Sequence, residues 1–124
     1  MSESRYSRAV LEHFHTPRNM GAMENPSAVG NAGNPQCGDV IRLYVRIKQG
    51  VIVDAKAKVL GCPVAIAAAS VLTEILRGKT LKEAMQISNG DISEALGGLP
   101  PEKLSCSVLA EAVVRDAIGQ YGGR

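Results

Sequence analysis

The stretch "VIRLYVRIKQGVIVDAKAKVL", Val40 to Leu60, constrains the fold of this chain more than any other. Ile41, Leu43, Val45 and Ile47 alternate with Arg42, Tyr44, Arg46 and Lys48, the period of a strand with one apolar and one solvated face. Gln49-Gly50 then supplies a turn, and Val53, Ala55, Ala57 and Val59 alternate with Asp54, Lys56 and Lys58. Two such runs across a tight turn predict an antiparallel hairpin. Its apolar face has to be covered by other parts of the chain.

Three segments carry the spacing of covering helices. Residues from about Ser4 to Phe14 place Tyr6, Val10 and Phe14 four apart and stop before Pro17. Val64 to Leu76, "VAIAAASVLTEIL", is apolar nearly all round and rich in Ala, which suits a central helix packed tightly on the sheet. Lys103 to Tyr121 carries Ala110, Val113, Val114, Ala117, Ile118 and Tyr121 on one face. Thr80 with Glu83 has capping-box spacing before "LKEAM", and Asp91 with Glu94 gives an acidic start to a second short helix closed by Gly97-Gly98. "TPRNMGAMENPSAVGNAGNPQCGD" is dense in Gly, Pro and Asn and reads as loop, with at most a short edge strand near Ser27 to Gly30. The expected architecture is α+β: a small three-stranded antiparallel sheet with helices packed on one face.

At 124 residues the chain is expected to be one domain, residues 1–124, and with 3% aromatic residues its core must be built from Ile, Leu, Val and Ala. The formal charge of +2 is spread without a basic run that would track phosphates, so no nucleic-acid partner is expected. The longest apolar run, "VAIAAASVL", is less than half of the ~20 residues a membrane helix needs, so no membrane association is expected. The N-terminus "MSESRYSRAVLEHF" lacks the marks of a secretory signal, and the expected location is cytoplasmic. Three cysteines, an odd number, argue against a disulfide framework.

All three cysteines fall at turning points: Cys37 just before a strand, Cys62 between a strand and the central helix, Cys106 at the entrance of the last helix. Singly, each reads as a small buried hydrophobe. Jointly they point to a site. Gly38-Asp39 follows Cys37, and Gly61 and Pro63 flank Cys62, so both thiols sit on backbone that allows close approach. Cys62 and Cys106 stand at helix N-termini, where the dipole favours thiolate. Soft thiolates select zinc, copper(I) or iron–sulfur centres, which take four ligands, and Asp39 is the nearest candidate for the fourth. The same Asp could instead hold a turn, and with no CxxC pair the spacing leaves the metal open. His13 and His15 read as surface or internally satisfied histidines, because nothing in the sequence brings them to the cysteines.

Beyond the cysteines, several motifs recur in one order: Tyr6, Val10, His13-Phe14 and "PRNMG" up to Gly21, "CGD" at Cys37–Asp39, "GC" followed by "AIAAAS" up to Ser70, "LPP" and Lys103, and "CS" with "LAE" from Cys106. In these the chain resembles the IscU-type iron–sulfur cluster assembly scaffolds, also found as the N-terminal domain of NifU proteins. The resemblance implies a SufE/IscU-like fold and a carrier, not an enzyme. Such a carrier takes sulfur from a cysteine desulfurase, uses an iron donor and a ferredoxin-type electron donor, holds a transient [2Fe–2S] cluster and passes it to apo-proteins. It implies Cys37, Asp39, Cys62 and Cys106 as cluster ligands and Cys106 as the persulfide acceptor. Asp39 would be the hard ligand that keeps the cluster labile. Zinc in the cluster-free form and a homodimer are further implications.

Two positions depart from that pattern. Ser105 stands where the family carries a histidine, so the fourth ligand is left to Asp39, the Ser105 oxygen or a residue of a partner. Glu102 stands in "LPPEK" where members recognised by an Hsp70-type chaperone have an apolar residue, which leaves that partner open. The alternative reading is a zinc-binding sulfurtransferase adaptor of the SufU kind. The helical region lacks the insertion of those relatives, which favours the scaffold.

Overall fold

The computed structural model describes residues 6–34 and 38–122. The hairpin forms where the alternation places it, as β2 (Asp39–Lys48) and β3 (Val51–Leu60). Gln49 and Gly50 both take positive φ, 53° and 76°, the signature of a tight turn whose twist matches that of the strands. An edge strand, β1 (Ala28–Asn34), pairs antiparallel with β2, giving a sheet of order β1-β2-β3.

β1 runs further than the short strand expected, and its small residues, Gly30 above all, are the reason. A Cβ on Gly30 would stand 2.5 Å from the Val113 carbonyl oxygen and 2.6 Å from the Ala117 nitrogen. The Gly/Ala/Asn run that looks like loop is therefore a strand made thin so that a helix can lie against it. A second difference is a bulge. Pairing steps from Arg46↔Asp54 to Ile47↔Ile52, which leaves Val53 as the extra residue. Ile52 thereby turns inward to full burial, while Val53, expected inward, is 45% exposed. Tyr44, expected in solvent, is buried on the outer face, where Arg46 donates a hydrogen bond to the Glu24 carbonyl of the preceding loop.

Helices cover the other face. α2 (Pro63–Leu76) lies over β3, and α5 (Leu104–Gly122) lies over β1 and β2 after a 3-10 turn at Pro101–Lys103. Ala65, Ala67, Ala68 and Ala69 of α2 are all fully buried, and small side chains here let helix and sheet approach closely. α3 (Leu81–Met85) has the predicted Thr80/Glu83 capping box. α4 (Asn89–Ala95) starts earlier than expected, because the Ser88 hydroxyl and Asp91 form the box in place of an Asp91 start.

α1 (Arg8–His15) packs on α2 and is capped by Ser7; Ser4, where the helix was expected to begin, lies outside the described residues. Its buried side chains are Val10 and His13, whereas Tyr6 and Phe14 are half-buried. His13 is an internally satisfied histidine: Nδ1 lies 2.7 Å from Ser70 Oγ and Nε2 lies 3.5 Å from Glu74 Oε1. The Arg18 N–H also donates to Ser70 Oγ, at 2.8 Å. This places the next residues on the open edge of β3, where Gly21 N–H donates to Ala57 O and Ala57 N–H donates to Asn19 O. The "PRNMG" stretch thus closes a sheet edge.

Candidate metal centre

Asp39 opens β2 in phase with Ile41, Leu43 and Val45, so its carboxylate points under the helices and is 4% exposed. Register pairs Val40 with Leu60, which brings the start of β2 beside the end of β3. Two residues after Leu60, Cys62 is the N-cap of α2, with Pro63 fixing the first helical turn. The first turn of α5 carries Cys106 down onto the same spot.

The three donors meet. Cys62 Sγ and Cys106 Sγ are 3.6 Å apart, and each is 3.7 Å from Asp39 Oδ2. Among the described residues they are the one group of His, Cys, Asp or Glu side chains placed to hold a metal ion. Around one tetrahedral ion, with thiolate bonds of about 2.3 Å and carboxylate bonds of about 2.0 Å, the sulfur–sulfur and sulfur–oxygen edges come to about 3.8 and 3.5 Å. The trio therefore already spans one face of such a tetrahedron.

Asp39 is held in this pose by Cys62 N–H, which donates to its Oδ1 at 3.0 Å. The approach is possible only because the preceding residue is glycine. A Cβ on Gly61 would sit 2.3 Å from Oδ1 and 2.9 Å from Cγ of Asp39. The sequence suggested that Gly61 makes room for a bound group, and what it makes room for here is the carboxylate.

The two thiols divide one proton between them. Hydrogen bonding from Cys106 draws the Cys62 thiol down to about pKa 6, against the opposing effect of burial, with help from Ala65 N–H and the Lys103 charge. Cys106 is pushed up, because it donates to Cys62, is buried, and faces Cys62 and Asp39 as negative charges. The metal-free site thus holds a Cys62 thiolate beside a Cys106 thiol. Helix N-terminal position favours an ionised Cys106, but its side chain is 2% exposed. Its hydrogen bond to Cys62, its burial and the neighbouring charges outweigh the dipole.

Of the residues singled out in the sequence, Asp39, Cys62 and Cys106 are brought together, and Cys37 lies outside the described residues. Ser105 is exposed and makes no hydrogen bond to the trio. His13 belongs to the α1–α2 contact instead. Lys103, half-buried and three residues before Cys106, was picked out in the sequence only as part of the "LPP" motif and not as a charge facing the thiols, although a cation at that spacing on a helix entrance can face the same side.

A helix-covered three-stranded sheet with two thiols and a carboxylate converging at the helix entrances defines a small α+β domain with a group that could hold a metal ion. The chain belongs to the NifU-like N terminal domain family, whose model matches residues 5–124. It is 46% identical over 116 residues to the iron–sulfur cluster assembly scaffold protein IscU 1 of Archaeoglobus fulgidus, covering 94% of this chain and 76% of that one. It is 44% identical over 120 residues to the IscU scaffold protein of Escherichia coli K12, covering 94% and 93%. Among solved structures it resembles a SUF-system scaffold protein of Fervidobacterium islandicum AW-1, with TM-score 0.79, 24% identity and coverage of 95% and 99%. A NifU-like N-terminal protein of Brucella abortus gives TM-score 0.78 at 20% identity, covering 98% and 97%. The two structures share the fold expected from the sequence: three antiparallel strands with helices on one face.

Proposed function

We propose that the chain is an iron–sulfur cluster assembly scaffold whose cargo is a transient [2Fe–2S] cluster held by Cys37, Asp39, Cys62 and Cys106. The convergence of two thiols and a carboxylate, Cys62, Cys106 and Asp39, in a chain of this family carries this reading. Two sulfurs and one oxygen suit iron, and the oxygen is the weaker partner, which suits a carrier that must let go. Sulfur arrives from the persulfide of a cysteine desulfurase and is accepted at Cys106. Because Cys106 is buried, acceptance follows an outward movement of the first turn of α5, whose exposed Leu104 lies two residues away. Iron comes from an iron donor, electrons from a ferredoxin-type donor, and the finished cluster goes to apo-proteins, in a monomer or across a homodimer.

One observation favours a second reading. The trio matches a single tetrahedral ion without rearrangement, as the zinc site of a SufU-like sulfurtransferase adaptor requires. Anaerobic reconstitution with iron, sulfide and a thiol separates the two. The scaffold gains a visible sulfide-to-iron band with two irons per cluster, and Cys62→Ala or Cys106→Ala loses it. Absence of the band together with tight stoichiometric zinc would establish the adaptor in its place.

A further inference from the structure

The Cys62–Cys106 contact has a use besides holding metal. We infer that the pair is an internal dithiol that releases sulfide from a persulfide formed on it, so that the electron donor reduces a Cys62–Cys106 disulfide. The inference rests on the sulfur-accepting role proposed above. Cys62 Sγ lies in contact with Cys106 Sγ at 3.6 Å, closer than either sulfur is to the Asp39 carboxylate oxygen. Cys62 is half-buried, whereas Cys106 is buried. This is the arrangement of an attacking thiol beside a sulfur that carries a leaving group.

The step balances without any added reductant. Cys106 bears an Sγ–SH group after accepting one sulfane sulfur. Cys62 sulfur attacks Cys106 Sγ, the Sγ–S bond breaks, a Cys62–Cys106 bond forms, and the outer sulfur leaves as hydrosulfide, which takes a proton from solvent. The sulfane sulfur is reduced by two electrons and the two cysteines are oxidised by the same two. A donor of the ferredoxin class then returns two electrons, taken with two protons, and restores the dithiol. A persulfide on Cys62 attacked by Cys106 gives the same products.

Two consequences follow. Sulfide appears within the ligand set that needs it. Until electrons arrive, the disulfide removes both thiolates from the metal site, so cluster binding waits on the electron donor.

The test uses the full reduced chain, free of iron, with one equivalent of cysteine persulfide under anaerobic conditions. Sulfide release is followed by trapping with bromobimane, and the alkylated protein is weighed intact without reductant. The expected result is about one sulfide per chain and a product two hydrogens lighter than the dithiol, with a Cys62–Cys106 linked peptide. Cys62→Ser keeps the mass of one added sulfur and releases at least tenfold less sulfide. Cys62→Ala repeats the test in a second background, with circular dichroism confirming the fold of each variant.

The inference is overturned if Cys62→Ser releases sulfide like the parent. Stable retention of the added sulfur by the parent, or its migration to Cys62 without sulfide, would each overturn it too. Cluster formation from iron and inorganic sulfide is read separately in the parent. A chain that binds cluster but releases no sulfide refutes the dithiol step alone, and a chain that binds none refutes the scaffold.

Discussion

Gly61→Ala isolates the contact that shapes the metal centre. The new Cβ would lie 2.3 Å from Oδ1 and 2.9 Å from Cγ of Asp39, closer than packed atoms tolerate, and a tight 3.1 Å from its Cβ. Gly61 does not have a positive φ, so the substitution brings no backbone strain and acts through this clash. The carboxylate has to swing away, which breaks its 3.0 Å hydrogen bond from Cys62 N–H and opens the trio. Losing a hydrogen bond to a charged group costs about 1.5–3 kcal/mol, and the stiffer unfolded chain returns about 0.4–1 kcal/mol. The net loss is about 1–2 kcal/mol, a fall in Tm of roughly 4–8 °C for a chain of this size. Metal affinity falls by about 10–100-fold, the usual effect of losing a group that orients a ligand. Zinc competition against a chromophoric chelator measures the affinity, and thermal melting of the metal-free protein measures the fold. Gly38→Ala is the control: it meets a positive φ of 74° but no atom within 4 Å, so it loses stability without touching the carboxylate. Parent-like zinc affinity in Gly61→Ala would refute the argument, as would equal loss of affinity in both variants.

Three other outcomes are expected. Asp39→Ala should slow cluster transfer to an acceptor several-fold, measured by visible absorbance after mixing with an apo-ferredoxin, because a labile oxygen ligand is lost; equal or faster transfer would contradict that role. In the metal-free protein, alkylation of Cys62 by iodoacetamide should rise through about pH 6, and Cys106→Ala should move the midpoint up toward the ordinary thiol value, since the Cys106 hydrogen bond is the largest cause of the shift. His13 is held neutral, below its ordinary 6.5, first by burial and then by the Arg18 charge, against the pull of Glu74 and Glu12. The unfolded chain therefore takes up that proton first as pH falls, so this contribution to stability is full above pH 6.5 and is lost below it. His13→Gln should flatten that part of the urea-midpoint profile and, by losing a buried hydrogen bond to Ser70, lower stability by about 1–3 kcal/mol.

Features that depend on neighbours along the chain were legible before any folding was considered. Period-two alternation set the β2–β3 hairpin and its turn at Gln49-Gly50. The Ala-rich run set α2, and Thr80 with Glu83 set the start of α3. The positions of Cys62 and Cys106 at helix entrances were legible for the same reason. Tertiary structure decided what those patterns leave open, namely which surfaces meet. β1 became a full strand because α5 lies against Gly30, and Ile52 displaced Val53 from the core because the ladder is bulged at that point. His13 became an interior group because Ser70, 57 residues away, offers it a partner. At the metal centre, Asp39 reaches Cys62 across 23 residues and Cys106 across 67. Its proton sharing and the use of Gly61 exist only once α2 and α5 have docked. A local pattern fixes the face on which a side chain lies, whereas distances of 3.6–3.7 Å between donors are set by packing of distant elements.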